Sequence, residues 1–160
     1  MEMWDGVTND DPVEFEAAIK KGANINEYSP AFNRQTPLVH AALKGYPKVA
    51  KKALELGADI NIGEKDGYTA MHAAATSGQY EVMQVLIDFG LNPDDFHRDG
   101  FSPLHRACWG SEKRHAKTVE VLLNAGVDPE MVARGGIKTC RSMTSNQNTL
   151  KLLDSLTGEL

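Results

Sequence analysis

The sequence predicts an all-α solenoid in which pairs of short helices stack on one another along the chain. The first observation is a period of 33 residues: the segments that start at Gln35, Tyr68 and Phe101 align, with hydroxyl, long apolar and alanine side chains in matching slots. The second observation is that a further apolar stretch follows each segment and ends in a glycine. Because one such unit cannot bury its own apolar face, it must stack on neighbours.

Each complete unit begins with a residue that can cap a helix. A hydroxyl at the helix N-cap accepts a hydrogen bond from an unpaired backbone N–H. The hydroxyl residues in this slot are Thr36, Thr69 and Ser102. Pro37 and Pro103 follow, at the first helical position, where the missing N–H costs nothing. Gly45 and Gly78 suit the left-handed backbone conformation that commonly ends a helix, here the first helix of the unit.

A second helix follows in each unit. Val82, Val85, Leu86 and Phe89 recur at helical spacing and predict one buried stripe. Glycines that suit the helix end come next, and they are Gly57, Gly90 and Gly126. Turn pairs, Asp66-Gly67 and Asp99-Gly100, precede the next cap.

These motifs resemble the ankyrin repeat, whose signature is Gly-x-Thr-Pro-Leu-His-x-Ala-Ala. The match is close from Gly100 to Cys108, whereas Ala70 replaces the proline one repeat earlier and Val39 replaces the histidine two repeats earlier. The resemblance covers roughly residues 4 to 130. It implies an interaction module of helical pairs with short β-turn fingers, in which partners contact the fingertips and the inner faces of the first helices.

With the period, the resemblance predicts a single domain, 1–160, of about three full repeats between divergent capping repeats. The approximate repeats are 1–33, 34–66, 67–99, 100–133 and 134–160. The first helix of the N-terminal repeat is reduced to about Met3–Val7, and the loop over residues 27–34 is two residues longer than its counterparts. The fourth repeat carries three extra residues within 112–117, which we expect to bulge between its helices toward the concave side.

Positions that vary between repeats are not needed for stacking and are free for recognition. On this reasoning the concave face and the fingertips supply the candidate partner-binding residues. They are Phe32, Asn33, Gln35, Lys44, Lys65, Tyr68, Ser77, Arg98, Phe101, Trp109, Lys113 and Arg114. Of these we expect Tyr68, Phe101, Trp109 and Arg98 to matter most, because aromatic and arginine side chains dominate binding energy. The alternative is that Tyr68 and Phe101 merely pack on the neighbouring repeat.

Composition restricts the partner and the compartment. A formal net charge of −5 and a pI near 5.5 disfavour nucleic acid, so we expect a protein partner and a monomeric chain. The sequence shows neither a secretion signal nor a stretch of about 18 apolar residues that could span a membrane. We expect a cytoplasmic or nuclear chain in which Cys108 and Cys140 are reduced thiols.

We predict no catalytic residue, no cofactor and no metal site. His72 and His105 share a slot one repeat apart, at about 10 Å, which is too far to share a metal bonded at about 2 Å. We expect each to bridge neighbouring backbones by hydrogen bonds. The competing interpretation is an enzyme or a small-ligand or metal-binding protein that uses groove histidines and cysteines. Asn61 lies where the resemblance allows hydroxylation, but Ala53 replaces the expected leucine and disfavours it.

Overall fold

The computed structural model describes residues 2–157, and the regular elements of that range are ten helices. Their bounds are α1 Met3–Thr8, α2 Pro12–Lys20, α3 Pro37–Lys44, α4 Pro47–Glu55, α5 Ala70–Ser77, α6 Tyr80–Asp88, α7 Pro103–Trp109, α8 Lys113–Asn124, α9 Cys140–Met143 and α10 Gln147–Thr157. Each expected repeat contains one pair of them, although residues 158–160 of the last repeat lie outside the described residues. The predicted all-α class is confirmed.

The helices form two layers. The first helices of the pairs, α1, α3, α5, α7 and α9, stack in order, and the second helices, α2, α4, α6, α8 and α10, stack behind them. The core lies between the layers and repeats with the sequence: Leu38, Met71 and Leu104 are 33 residues apart and at most 2% exposed. Burial of equivalent side chains in successive repeats therefore stabilises a solenoid.

The helix starts follow the expected caps, with one exception. The Thr36 hydroxyl accepts a hydrogen bond from the Val39 N–H at 3.3 Å, and the Ser102 hydroxyl accepts one from His105 at 3.4 Å. Thr69 also occupies the N-cap position, but its side chain caps nothing. The helix still begins there because the Thr69 carbonyl accepts a hydrogen bond from the Ala73 N–H at 3.0 Å.

Four tight turns, here called fingers, connect the repeats. They span residues 29–35, 64–68, 97–101 and 133–138, and in each the first residue donates its N–H to the carbonyl of the last. The first finger is two residues longer than the second and third, as the sequence predicts. Adjacent fingers also contact each other, because Arg134 donates its N–H to the Gly100 carbonyl at 2.9 Å.

The three extra residues of the fourth repeat do not bulge, so that prediction is wrong. They lengthen a helix instead: α8 has 12 residues, whereas α4 and α6 have 9 each. Lysine, arginine and alanine in this segment favour helix. His115 also anchors the added turn, because its Nε2 donates to the Thr76 carbonyl at 3.0 Å.

The structure joins Cys108 of α7 to Cys140 of α9 in a disulfide. The prediction of two reduced thiols is therefore wrong. The stacking of α9 on α7 brings the two Cα atoms to 5.4 Å, a separation that suits a disulfide. The cytoplasmic or nuclear compartment stays a prediction.

Candidate functional site

The exposed side of the first-helix layer, together with the fingers, is called the groove face below. Gln35, Tyr68 and Phe101 occupy the same place in three stacked repeats, since each is the last residue of a finger and directly precedes an N-cap. They therefore recur along the groove face at intervals of one repeat, and all three are half-buried.

Tyr68 is half-buried against the third finger and against Arg106 of the following repeat. Its ring lies 4.4 Å from the His97 ring, and the Arg106 guanidinium lies 4.4 Å from the ring centre. Its hydroxyl donates to Asp99 at 3.5 Å, and Arg106 forms an ion pair with the same carboxylate. A cation over an aromatic face is attractive, so these contacts join two repeats. For Tyr68 the geometry favours the interpretation of packing between repeats.

Trp109 lies at the end of α7 and is 59% exposed. Its ring centre lies 5.7 Å from that of Phe101, which in turn has Lys138 at 5.9 Å. The first helix of the next repeat, α9, has only four residues and offers little surface to cover Trp109. Trp109 and Phe101 thus form an aromatic pair whose outer member faces solvent.

A shallow depression lies beside this pair. It is lined by Thr76, Arg106, Trp109 and Gly110, between the ends of α5 and α7. The Arg106 side chain is 9% exposed, and its Nε is buried without a hydrogen-bond partner. An exposed indole next to a desolvated guanidinium is a combination typical of the residues that carry binding energy in protein interfaces.

The N-terminal candidates surround His40. The Phe32 ring lies 4.4 Å from the imidazole, and the Nδ1 of His40 donates to the side-chain oxygen of Gln35 at 2.8 Å. Burial, and then the charge of Lys44, lower the pKa of His40 to about 4. Phe32 and Gln35 therefore hold the first finger against α3, while Asn33 is exposed at its tip with a φ of 42°.

The remaining candidates differ in how exposed their side chains are and in whether they are hydrogen-bonded. Lys44 is exposed at the end of α3, and Ser77 is half-buried at the same place on α5. Lys65 is exposed on the second finger. Arg98 is exposed too, but its Nη2 donates to the Asp66 carbonyl at 2.9 Å and so ties the third finger to the second.

Lys113 and Arg114 do not lie where the expected bulge would have put them. Lys113 lines a depression between the second helices α8 and α10, together with Glu120 and Leu152. Arg114 forms an ion pair with Glu112 at 2.9 Å and packs over Gly78, at the end of α5. The reason is the added turn of α8, which carries both side chains into the second-helix layer and its junction with α5.

The histidine slot behaves as expected in only one repeat. The Nε2 of His105 donates to the Met131 carbonyl at 3.0 Å, and its Nδ1 accepts from the Ser102 N–H at 3.2 Å, so His105 bridges the backbone at the start of α7 and the backbone before the fourth finger. The Nε2 of His72 instead lies 3.7 Å from Asp95, and its Nδ1 is buried without a partner. Burial lowers the pKa of His72 to about 4 and also lowers the pKa of His105.

Sequence reasoning missed Arg106, which touches both Tyr68 and the depression beside Trp109. The sequence does contain a signal for Arg106, because its position varies between repeats: the equivalent residues in the two preceding repeats are His40 and Ala73. His115 was also missed as a bridging histidine, since its role depends on the added turn of α8.

Within residues 2–157, no group of three or more His, Cys, Asp or Glu side chains is arranged to hold a metal ion. Over the same range, none of the helices combines the length and the apolar character that a membrane span requires.

Comparison with known proteins gives consistent matches. A family model described as ankyrin repeats (3 copies) matches residues 41–133, more than half of the chain. BCL-6 corepressor-like protein 1 of Homo sapiens is 28% identical over 127 residues, which is 79% of this chain and 7% of that protein. The ankyrin repeat, SAM and basic leucine zipper domain-containing protein 1 of Bos taurus is 28% identical over 129 residues, or 79% of this chain and 27% of that protein.

A third relative matches a shorter stretch. Protein phosphatase 1 regulatory subunit 12A of Mus musculus is 40% identical over 65 residues, which cover 41% of this chain and 6% of that protein. The chain thus spans at most 27% of the length of these three relatives.

Proposed function

The chain belongs to the ankyrin-repeat family, and from this premise we propose that it binds a partner protein through its groove face and fingers, as a scaffold, adaptor or inhibitor. Ankyrin repeats are generally protein-interaction modules, and family membership points to a non-catalytic role. One relative is named as a regulatory subunit of a phosphatase, which fits a protein that acts by holding another. The proposal includes a monomeric chain in the cytoplasm or nucleus.

The exposure of Trp109 carries the proposal. Its side chain is 59% exposed at the end of α7, beside Phe101 and the depression that Arg106 lines. Stacking does not require this residue, because the same slot holds Leu43 and Thr76 in the preceding repeats. Burying an indole of this size at an interface contributes strongly to affinity. We therefore place Trp109 and Phe101 at the centre of the partner-binding surface.

The test compares Trp109→Ala with a matched control, Phe89→Ala. Phe89 follows α6 in the second-helix layer, away from the groove face, and is 50% exposed, so its predicted place in the buried stripe is wrong. Both variants and the wild type are used as affinity baits in lysate of the source cells, and captured proteins are quantified by mass spectrometry. Trp109→Ala should reduce specific capture at least about tenfold, which corresponds to about 1.4 kcal/mol.

The same variants are melted to separate binding from folding. Phe89→Ala should capture as the wild type does, and both variants should melt within about 3 °C of it, since each loses an exposed side chain. Undiminished capture by Trp109→Ala would contradict the proposed surface. A large fall in melting temperature for that variant would assign the residue to the core.

A further inference from the structure

The last repeat is attached to its neighbour by few buried side chains. In α9 the one buried residue is Cys140, whereas α7 buries five of its seven residues. Among the described side chains of α10, Thr149 and Leu153 are buried. Asn146, between the two helices, donates from its side-chain amide to the Gly110 and Glu112 carbonyls at 3.0 and 2.9 Å. Residues 134–157, called the terminal segment below, thus depend on a small set of contacts.

The Cys108–Cys140 disulfide is the covalent member of that set. It joins positions 32 residues apart, and both cysteines are 0% exposed. A cross-link over a loop of this length removes much of the chain entropy that the segment would gain on detaching. Cys140 is also the buried residue of α9, so the disulfide lies where that helix packs on α7.

The cross-link is adjacent to the proposed binding surface. Cys108 directly precedes Trp109 in α7, and Lys138 of the terminal segment lies 5.9 Å from the Phe101 ring. Arg134 of the same segment donates its N–H to the Gly100 carbonyl, just before Phe101. If the terminal segment detaches, these contacts are lost and the surroundings of Phe101 and Trp109 change.

We propose that the Cys108–Cys140 pair is a redox-sensitive cross-link: the disulfide fixes the terminal segment, and reduction by a dithiol releases it and alters partner binding. In that reaction the sulfur–sulfur bond breaks and both cysteines become thiols. The dithiol supplies two electrons and two protons and becomes a disulfide itself. Only the last step, the effect on binding, depends on the proposed function. In the reducing compartment that we expect for this chain, disulfides are usually transient and redox-sensing.

Burial of the sulfurs determines how the reductant acts. A thiolate must reach a sulfur atom, and neither cysteine is exposed while α9 packs on α7. Reduction therefore takes place while the terminal segment is transiently open, as the end of a solenoid can be. Once the bond is broken, closing depends on Asn146, Leu153 and the remaining contacts alone, and the open population rises.

Hydrogen exchange of the complete wild-type chain tests the cross-link without any partner. The oxidised and dithiothreitol-reduced proteins are compared by mass spectrometry, with the redox state confirmed by thiol alkylation. Amides of residues 140–157 should exchange at least about tenfold faster after reduction, while those of 37–55 change less than about twofold. Reoxidation should restore the protection. Equal protection in both states, with the bond shown to be broken, overturns the proposal, as does failure of the bond to form under oxidant.

The double variant Cys108→Ala/Cys140→Ala serves as the control. It should exchange like the reduced wild type in either buffer, because it has no sulfur to oxidise. The effect on binding is then measured with the protein captured by the wild type, whose affinity should differ at least about threefold between the two redox states. Changed exchange with unchanged affinity overturns only the binding step, whereas failure of the Trp109→Ala test leaves the exchange result standing.

Discussion

At the scale of single residues, neutral histidines support the contacts between the fingers and the helices. His40 and His72 are 2% and 1% exposed, and burial lowers the pKa of each to about 4. Asp95 raises the pKa of His72, but less than burial lowers it, since its carboxylate is 3.7 Å away and half in solvent. Both imidazoles are therefore uncharged near neutral pH, which suits their places between aromatic rings.

The histidines make stability depend on pH. The pKa of His72 is about 4 in the folded chain and near 6.5 when unfolded, so below pH 6.5 the unfolded chain binds more protons. The stabilisation is fully present above pH 6.5 and is lost as pH falls toward 4. From pH 6.5 to 5, where few carboxyl groups titrate, His72 should cost up to about 2 kcal/mol of the free energy of unfolding.

Urea denaturation at intervals between pH 7 and 5 measures this loss. His72→Gln keeps a polar side chain of similar size but cannot titrate, so its stability should vary less with pH than that of the wild type. The variant is compared with itself across pH, so that any loss of packing cancels. An identical pH dependence in the two proteins would show that His72 does not titrate in this window.

The candidate binding residues show which features of the site could be predicted from the sequence and which could not. The candidate row at 35, 68 and 101 follows from the period, because equivalent positions in stacked repeats occupy equivalent places. The period does not predict how exposed each candidate side chain is. Tyr68 is covered because Arg106 of the next repeat reaches back over its ring, whereas Trp109 is exposed because the next first helix, α9, is short. Both facts depend on the neighbouring repeat.

At the scale of elements, most helix starts and ends could be read from capping residues, but the length of α8 could not. Thr36 and Ser102 cap as their positions predict, and the glycines that the sequence places at helix ends, Gly45, Gly57, Gly78, Gly90 and Gly126, all take positive φ. The spacing of the glycines indicates the three extra residues of the fourth repeat, but it does not predict their conformation. Their helical conformation rests on the hydrogen bond from His115 to Thr76, between residues 39 positions apart. Local sequence does not contain that contact.

The helix ends give a test that separates backbone strain from crowding. Gly78 ends α5 with a φ of 66°, and a Cβ there would lie 2.9 Å from the Arg114 Cγ and 3.0 Å from the His115 ring. Gly57 follows α4 with a φ of 87°, but beyond its neighbours in the chain no atom lies within 4 Å of an added Cβ. Gly57→Ala should lower the free energy of unfolding by about 1 kcal/mol, the cost of left-handed backbone for alanine.

Gly78→Ala carries both penalties and should cost about 2 to 3 kcal/mol, because α8 must move away from the end of α5. Urea denaturation of the two variants measures the difference. If the two substitutions cost the same, the contact between Arg114 and Gly78 does not constrain the junction of α5 and α8.

At the scale of the whole molecule, the period predicted the order of stacking, while the pairing of the cysteines lay beyond it. Cys108 is the sixth residue of α7 and Cys140 is the first residue of α9, so the two do not occupy equivalent slots. Their contact arises where the start of α9 packs on the end of α7. Repetition predicts structure where units are alike, and the end repeats differ from the others by necessity.

Stacking by nearest neighbours also predicts that the consequence of a lost core side chain depends on where it lies in the solenoid. Leu86 in α6 and Leu153 in α10 are 0% and 2% exposed. Leu86 lies in the central repeat, which contacts a repeat on each side, so Leu86→Ala should lower the global free energy of unfolding by roughly 2 to 5 kcal/mol. Leu153 lies in the last repeat, which contacts one neighbour, so Leu153→Ala should loosen α10 and leave α3 to α6 protected. Hydrogen exchange of both variants in the oxidised state measures how the loss of amide protection is distributed along the chain. Uniform loss of protection in both would mean that the chain unfolds as one cooperative unit, and that the last repeat cannot open separately while α7 and α9 remain joined.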